Sequence, residues 1–273
     1  MKLYELKREF LCILARNSII LSDRGIKAEK NKVNLHWWRL SSKEQNIGDW
    51  LSPVVVNFLK EKNGITGDGQ KTKHLFAIGS ILDGGYQNST IWGSGLLKGD
   101  KKYFWRHFRK LDIRCVRGPE TRRVLIKNGY NCPEVYGDPA VLLPLIYQPD
   151  SQKKTCDYLV IRHWLYPMNE NGLYPLVDDW KKFIDKLVQA KLIISSSLHG
   201  IILAEAYGIP AIFLQEDDLD LFKYRDYYSS TGRTDFPMAK TVQEALSMQT
   251  PPLPDMEKLQ QNLISSFPDD LWR

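Results

Sequence analysis

The chain has 273 residues, 43% of them hydrophobic and 26% charged, with a net charge of +6 at pH 7. That is enough to bury one large core or two modest ones, with the ordinary composition of a soluble globular protein. No run approaches the roughly 20 apolar residues of a membrane helix, charges between Glu5 and Arg16 rule out a signal peptide, and +6 favours anionic partners without arguing for nucleic acid.

Residues 1 to 24 have a helical face of Leu3, Leu6, Phe10, Ile13 and Leu14, followed by a charged loop from Gly25 to Lys32. Val33 to Trp38 reads as the first strand. Ser52-Pro53 has the form of an N-cap and N1 pair for a helix to Lys62, although Ile47, Trp50 and Leu51 keep helical spacing and allow a start nearer Asp49. After a polar loop, Gly64 to Lys73, come two short strands, Leu75 to Ile78 and Thr90 to Trp92, each ending in Gly-Ser. A helix over Tyr103 to Leu111 leads to a strand from Ile113 to Val116, and Pro119 opens a helix that stops at Gly129. Val135-Tyr136 is a short strand before Gly137-Asp138-Pro139.

The polar stretch Pro144 to Thr155 has no periodicity and reads as a domain boundary. Beyond it come a strand, Tyr158 to Ile161, a helix, Leu176 to Ala190, a βαβ unit and a helical tail. The βαβ unit pairs an apolar strand, Leu192 to Ile194, and a helix ending near Tyr207 with a strand from Ala211 to Leu214. The alternation predicts an α/β protein of two Rossmann-like parallel-sheet domains, residues 1–145 and 155–273, the tail belonging to the second. Cys12, Cys115, Cys132 and Cys156 lack metal or Cys-x-x-Cys spacing and read as reduced cytoplasmic thiols, mostly core.

Chemistry concentrates where strands end. Ser195-Ser196-Ser197-Leu198-His199-Gly200 joins a strand to a helix start, where free N–H groups and the dipole favour anions. His199 there is an acid/base candidate, the alternative being a histidine packed under a loop. In Asn46-Ile47-Gly48-Asp49, glycine permits a tight turn and Asp49 is a base toward a hydroxyl, unless Asn46 and Asp49 merely cap the helix. Gly93-Ser94-Gly95 either presents N–H groups to an oxyanion or sugar hydroxyl or forms an ordinary turn. Arg117 either forks onto carboxylate or phosphate or makes a salt bridge. Arg162 and His163 end a strand at the same sheet edge as His199. Lys223 to Tyr228 offers two cations and three aromatics for an anion and a sugar ring, or ordinary helix packing. The basic run Lys98 to Lys110 reads as a solvated helix face, with contact to an anionic membrane surface as the other possibility.

These motifs, with Val116-Arg117-Gly118-Pro119-Glu120-Thr121 and Tyr136-Gly137-Asp138-Pro139, occur in an order that resembles the polysaccharide pyruvyl transferase family over roughly residues 33 to 230. The resemblance implies two domains facing across a cleft as in GT-B glycosyltransferases. It also implies transfer of a pyruvyl group from phosphoenolpyruvate, as co-substrate, to two hydroxyls of a sugar, with a cyclic ketal formed and phosphate released. Many members carry arginine where this chain has Ser197, so the donor's cation must come from Arg117, Arg162 or Lys223. The expected catalytic residues are His199, Asp49 and Arg117. Asn46, Gly48, Gly93, Ser94, Gly95, Arg162, His163, Ser196, Ser197 and Lys223 bind substrate, and no metal or resident cofactor is expected. The implied acceptor is a lipid-linked oligosaccharide at the inner membrane face, met by a cytoplasmic or peripheral protein. Two alternatives are a GT-B-type glycosyltransferase with a nucleotide-sugar donor, which an acidic residue holding a ribose would favour, with Glu205 available, and a non-catalytic sugar-phosphate-binding protein of an assembly complex.

Overall fold

The computed structural model describes residues 28–39, 43–82, 88–99, 110–150, 153–166, 172–216 and 219–273. Two four-stranded sheets, each parallel throughout, organise it. The first runs β1 (Val33–His36), β3 (Lys73–Phe76), β4 (Asn88–Trp92), β5 (Lys110–Cys115). The second runs β6 (Cys156–Ile161), β8 (Ala190–Ser195), β9 (Ala211–Leu214), β10 (Met238–Ala239). In both, spatial order follows chain order, and because all strands run parallel the loops leaving them line one edge of each sheet, the usual ligand-binding edge of such folds.

A two-stranded antiparallel pair, β2 (Gln45–Asn46) with β7 (Leu176–Val177), ties the halves together. The Ile47 N–H donates to the Pro175 carbonyl at 2.8 Å beside it. This pairing claims the residues expected to begin a helix at Leu176. The helix, α3 (Trp180–Leu187), starts later because the Asp179 side chain caps it, accepting from Lys181 N–H at 2.9 Å.

Helix α1 (Ile47–Lys62) begins five residues before Ser52, capped by Asn46, whose side chain accepts from Gly48 N–H at 3.2 Å. Pro53 therefore lies inside α1, where it removes the hydrogen bond to the Asp49 carbonyl. The Ser52 hydroxyl instead accepts from Ile78 N–H, fixing α1 to the loop after β3. β3 starts at Lys73, earlier than its apolar residues suggest, and Ala77 to Gly79 already belong to that loop.

A 3₁₀ segment, Pro139–Leu145, is the hub of the core. Its Val141, Leu142 and Leu143 are fully buried in one apolar cluster with Leu51, Val55 and Leu59 of α1, Ile201 and Ala204 of α4 (Leu198–Ala206), and Leu259 and Leu263 of α7 (Met256–Ser265). The tail, expected to stay with the second half, packs on the first sheet. Trp92 Nε1 donates to the Leu263 carbonyl at 3.0 Å, and Arg114 pairs with Asp270 at 2.9 Å. Among the described residues, the remaining α-helices are α2 (Pro119–Lys127), α5 (Phe222–Ser230) and α6 (Val242–Ser247).

Cys115 and Cys132 are buried free thiols and Cys156 is half-buried, whereas Cys12 and the expected N-terminal helix lie outside the described residues. So does most of the helix expected at Tyr103 to Leu111; its end, Lys110 and Leu111, is strand, paired with Asn88 and Ser89. Among the described residues, no helix is long and apolar enough to cross a membrane.

Candidate active site

Loops from both sheets converge on His199. It follows Ser197, the N-cap of α4, and its side chain is 12% exposed. The imidazole lies over the start of α1: a β-carbon on Gly48 would sit 1.9 Å from His199 Nδ1. Gly48 is helical, not a turn, so the tight-turn reading is corrected. The residue is glycine because only a hydrogen leaves room for the ring.

On its other side, His199 Nε2 faces Asp138 Oδ2 at 3.6 Å, just beyond hydrogen-bond distance, and among the described residues neither of these buried atoms has a hydrogen-bond partner. The other Asp138 oxygen caps the 3₁₀ segment, accepting from Ala140 N–H at 3.0 Å. A buried carboxylate oxygen without a donor is costly, and the imidazole is the group placed to relieve it. Asp138 occurs in one of the quoted motifs, yet the sequence assigns it no role. Asp-Pro before an apolar run signals a helix cap and nothing about a distant histidine.

Asp49, the next residue of α1, shares this enclosure. Gly79, at φ +112°, lets its carboxylate approach, since a β-carbon there would lie 2.9 Å from Asp49 Oδ1. Burial pushes the Asp49 carboxyl up to about 7, with Asp138 adding to the rise and His199 and Lys223 opposing it. Lys223, in the first turn of α5, is itself buried. Desolvation and the Arg117 charge bring its ammonium down to about 8, against the pull of Asp49. A carboxyl and an amine that both titrate near neutrality, beside a histidine, form an acid/base cluster.

The other expected residues mostly hold this cluster in place. Arg117 is fully buried: Nε pairs with Asp226 at 3.0 Å, one Nη donates to Ser80 Oγ and the other to the Leu96 carbonyl, both at 2.6 Å. Asp226 also accepts from the N–H and hydroxyl of Thr121 at 2.8 and 2.7 Å. The guanidinium thus ties α2, α5 and two strand-end loops together, corresponding to the salt-bridge alternative. The Gly93-Ser94-Gly95 turn is also engaged internally. Gly93 N–H donates to the Cys115 carbonyl, and Gly95 N–H and the Ser94 hydroxyl both donate to the Gly79 carbonyl. These bonds correspond to the ordinary-turn reading of the motif, with the turn holding the Gly79 loop in place.

In the serine turn, the Ser195 hydroxyl donates to the Ile161 carbonyl at 2.8 Å and accepts from Ser197 N–H at 3.0 Å. The Ser196 hydroxyl accepts from His163 N–H at 2.8 Å and donates to Glu216 at 3.2 Å, while Arg162 pairs with the same Glu216 oxygen at 3.0 Å. Ser197 caps α4 by backbone geometry without a side-chain bond to the helix. His163 is held near 4, neutral at pH 7, by burial and then by Lys223. Tyr224, Tyr227 and Tyr228 are fully buried, so this stretch cannot offer its rings to a sugar. Glu205 is enclosed too: Arg233 grips it with two bonds of 2.6 and 2.7 Å, and Tyr227 donates to it at 2.7 Å.

A family model described as polysaccharide pyruvyl transferase matches residues 46–218. Among curated relatives, an uncharacterized protein of Acanthamoeba polyphaga mimivirus is 28% identical over 229 residues, covering 76% of this chain and 77% of its own length. The succinoglycan biosynthesis protein ExoV of Rhizobium meliloti is 30% identical over 140 residues, covering 46% of this chain and 42% of its own. The crystal structure of an uncharacterized protein from Klebsiella pneumoniae aligns with a TM-score of 0.48 at 15% identity, over 88% of this chain and all of that one.

Proposed function

This chain belongs to the polysaccharide pyruvyl transferase family, and we propose that it moves a pyruvyl group from phosphoenolpyruvate onto two hydroxyls of a sugar in a surface-polysaccharide precursor. The observation that carries the reading is the enclosed trio of Asp49, His199 and Asp138 beside Lys223.

In this proposal, the His199 imidazolium gives its proton to the methylene carbon of the donor while a sugar hydroxyl attacks the adjacent carbon and yields its proton to Asp49. The bond from that carbon to the phosphate oxygen breaks, and phosphate departs with the proton held by Asp49. The second hydroxyl then closes the ketal and returns a proton to His199. Asp138 is a positioning residue that orients the imidazole and stabilises its charged form. Lys223, with Ser197 and the first N–H groups of α4, meets the donor's anionic groups. Arg117 acts from behind, fixing the Gly79-Ser80 loop against Asp49. The two sheets correspond to two domains facing across a cleft, and the acceptor is a lipid-linked intermediate at the inner membrane face, a point motivated by the family resemblance alone.

The Glu205–Arg233–Tyr227 network weakens the feature that favoured a nucleotide-sugar donor, because Glu205 is only 2% exposed beneath these partners and its carboxylate has no open side toward a ribose. Thermal unfolding with added ligands tests the donor. Millimolar phosphoenolpyruvate should raise the melting temperature by several degrees and nucleoside diphosphates should not; the reverse pattern overturns the reading.

A further inference from the structure

The carboxyl end of the second sheet holds an ion pair that the proposed proton transfers leave unused. Glu216 lies just beyond β9 and Arg162 just beyond β6, with the serine turn after β8 between them. One oxygen, Glu216 Oε1, accepts from Arg162 Nη1 at 3.0 Å and from the Ser196 hydroxyl at 3.2 Å. An ionised carboxylate only accepts, so the Ser196 hydroxyl must direct its proton to Glu216, which leaves its lone pairs to the His163 N–H at 2.8 Å. The Ser196 N–H donates to the Ile161 carbonyl at 3.0 Å, and the Ser196 carbonyl accepts from the Tyr224 hydroxyl at 2.5 Å. Each polar group of Ser196 is therefore held by a neighbour, and Glu216 sets the direction of the hydroxyl's bonds.

What Ser196 fixes is the residue after it. Ser197 is the N-cap of α4, and the N–H groups that follow are those proposed to meet the donor's anionic groups. Preorganised donors aimed at one point are what makes such a turn effective toward an anion. The arrangement also carries a cost, because a carboxylate bonded to the residue before the N-cap repels an anion at the helix start. The Glu216 side chain is only 14% exposed, so water and salt screen that repulsion weakly. Arg162, bound to the same oxygen and 21% exposed, cancels the charge.

We infer that Glu216 and Arg162 are a charge-compensated positioning pair for the donor site: Glu216 orients the serine turn, and Arg162 neutralises Glu216 so that an anionic donor can approach. Arg162 thus serves the donor through Glu216, without touching it. The inference rests on the pyruvyl-transfer reading for placing phosphoenolpyruvate at the start of α4, and inorganic phosphate serves as a second probe that is independent of that donor.

The test measures dissociation constants of phosphoenolpyruvate and of inorganic phosphate by calorimetry on the full chain and its variants, with melting temperatures recorded alongside. Arg162→Met leaves an uncompensated carboxylate and should weaken phosphoenolpyruvate roughly tenfold or more, whereas Arg162→Lys, which keeps the charge, should bind as the wild type does. Adding Glu216→Gln to Arg162→Met removes the charge and keeps an oxygen for Ser196, so affinity should return to within about threefold of wild type although the arginine is gone. Adding Glu216→Ala instead removes the charge and the acceptor together, and should leave binding roughly tenfold weaker than the Gln combination. A Gln combination as weak as Arg162→Met would mean that the guanidinium itself holds the donor, and overturns the inference. Equal affinities across the folded variants, the result for a pair that serves only the fold, overturn it too. If phosphate binds with the expected ordering and phosphoenolpyruvate does not bind, the donor assignment fails and the role of the pair stands. A wild-type chain that binds neither anion at tens of millimolar overturns the inference.

Discussion

The ring of His199 rests on the Cα of Gly48, so close that a β-carbon there would lie within 2.2 Å of three ring atoms. A helix start on the first half therefore sets the position of a histidine on the second. Alanine would favour α1 by about 1 kcal/mol in propensity, yet it would displace the imidazole. Gly48→Ala should leave the melting temperature within a few degrees of wild type and lower kcat by roughly 10²-fold or more, the usual scale for losing an acid/base group. A variant with full activity would mean that this contact does not set the catalytic geometry.

Asp138→Asn separates capping from orientation. The amide oxygen still accepts from Ala140 N–H, while the anionic partner of His199 Nε2 is gone. The expected outcome is a fall in kcat on the order of 10²-fold, with the KM for phosphoenolpyruvate and the melting temperature nearly unchanged. A large stability loss at full specific turnover would make Asp138 a structural residue alone.

The pH dependence follows from Asp49 and Lys223. The Asp49 carboxyl titrates near 3.8 when unfolded and about 7 when folded, so between those values the folded chain holds a proton that the unfolded chain has released. Stability therefore falls as pH rises through that window, and the deficit is complete above about 7. Asp49→Asn should raise the melting temperature at pH 8 and change it little at pH 4. Lys223, lowered to about 8 from 10.5, has the opposite slope, confined to pH 8 and above. Activity should rise through about 7 as Asp49 ionises and fall through about 8 as Lys223 loses its proton, giving a narrow bell. A flat profile from pH 6 to 9 would contradict the assignment of both groups.

Arg117 and Asp226 predict a stability effect. Arg117→Met strands a buried carboxylate, which costs about 3–5 kcal/mol, or roughly 10 °C in melting temperature for a chain of this size. Pairing it with Asp226→Leu should recover much of the loss. A calorimetric scan showing Arg117→Met as stable as wild type would place the guanidinium's role outside the fold.

Much of the second half was legible before any coordinates. Ala211–Leu214 is the strand expected, and α4 ends within a residue of Tyr207, because an apolar run closed by Gly208-Ile209-Pro210 suits a buried βαβ unit. The two-residue strands β2 and β7 have no periodicity to read, and their pairing turned an expected helix start at Leu176 into strand. Site residues were visible where strand ends meet glycine, serine or histidine. Their partners were not, since the orphaned oxygen of Asp138, the burial of Tyr224 and Tyr227, and the closure of Glu205 by Arg233 are long-range packing outcomes. Gly48 shows the limit most clearly: the glycine stood out, but its reason is a side chain from the other half of the protein.

The central claim is proton transfer by His199 during pyruvyl transfer, and phosphate release from phosphoenolpyruvate in the presence of a sugar acceptor measures it most directly. Wild-type protein should release phosphate only when both substrates are present. His199→Ala and His199→Gln should do so roughly 10²- to 10⁴-fold more slowly, while their phosphoenolpyruvate-induced melting shift stays close to wild type. A well-folded His199→Ala with near wild-type phosphate release would contradict the account.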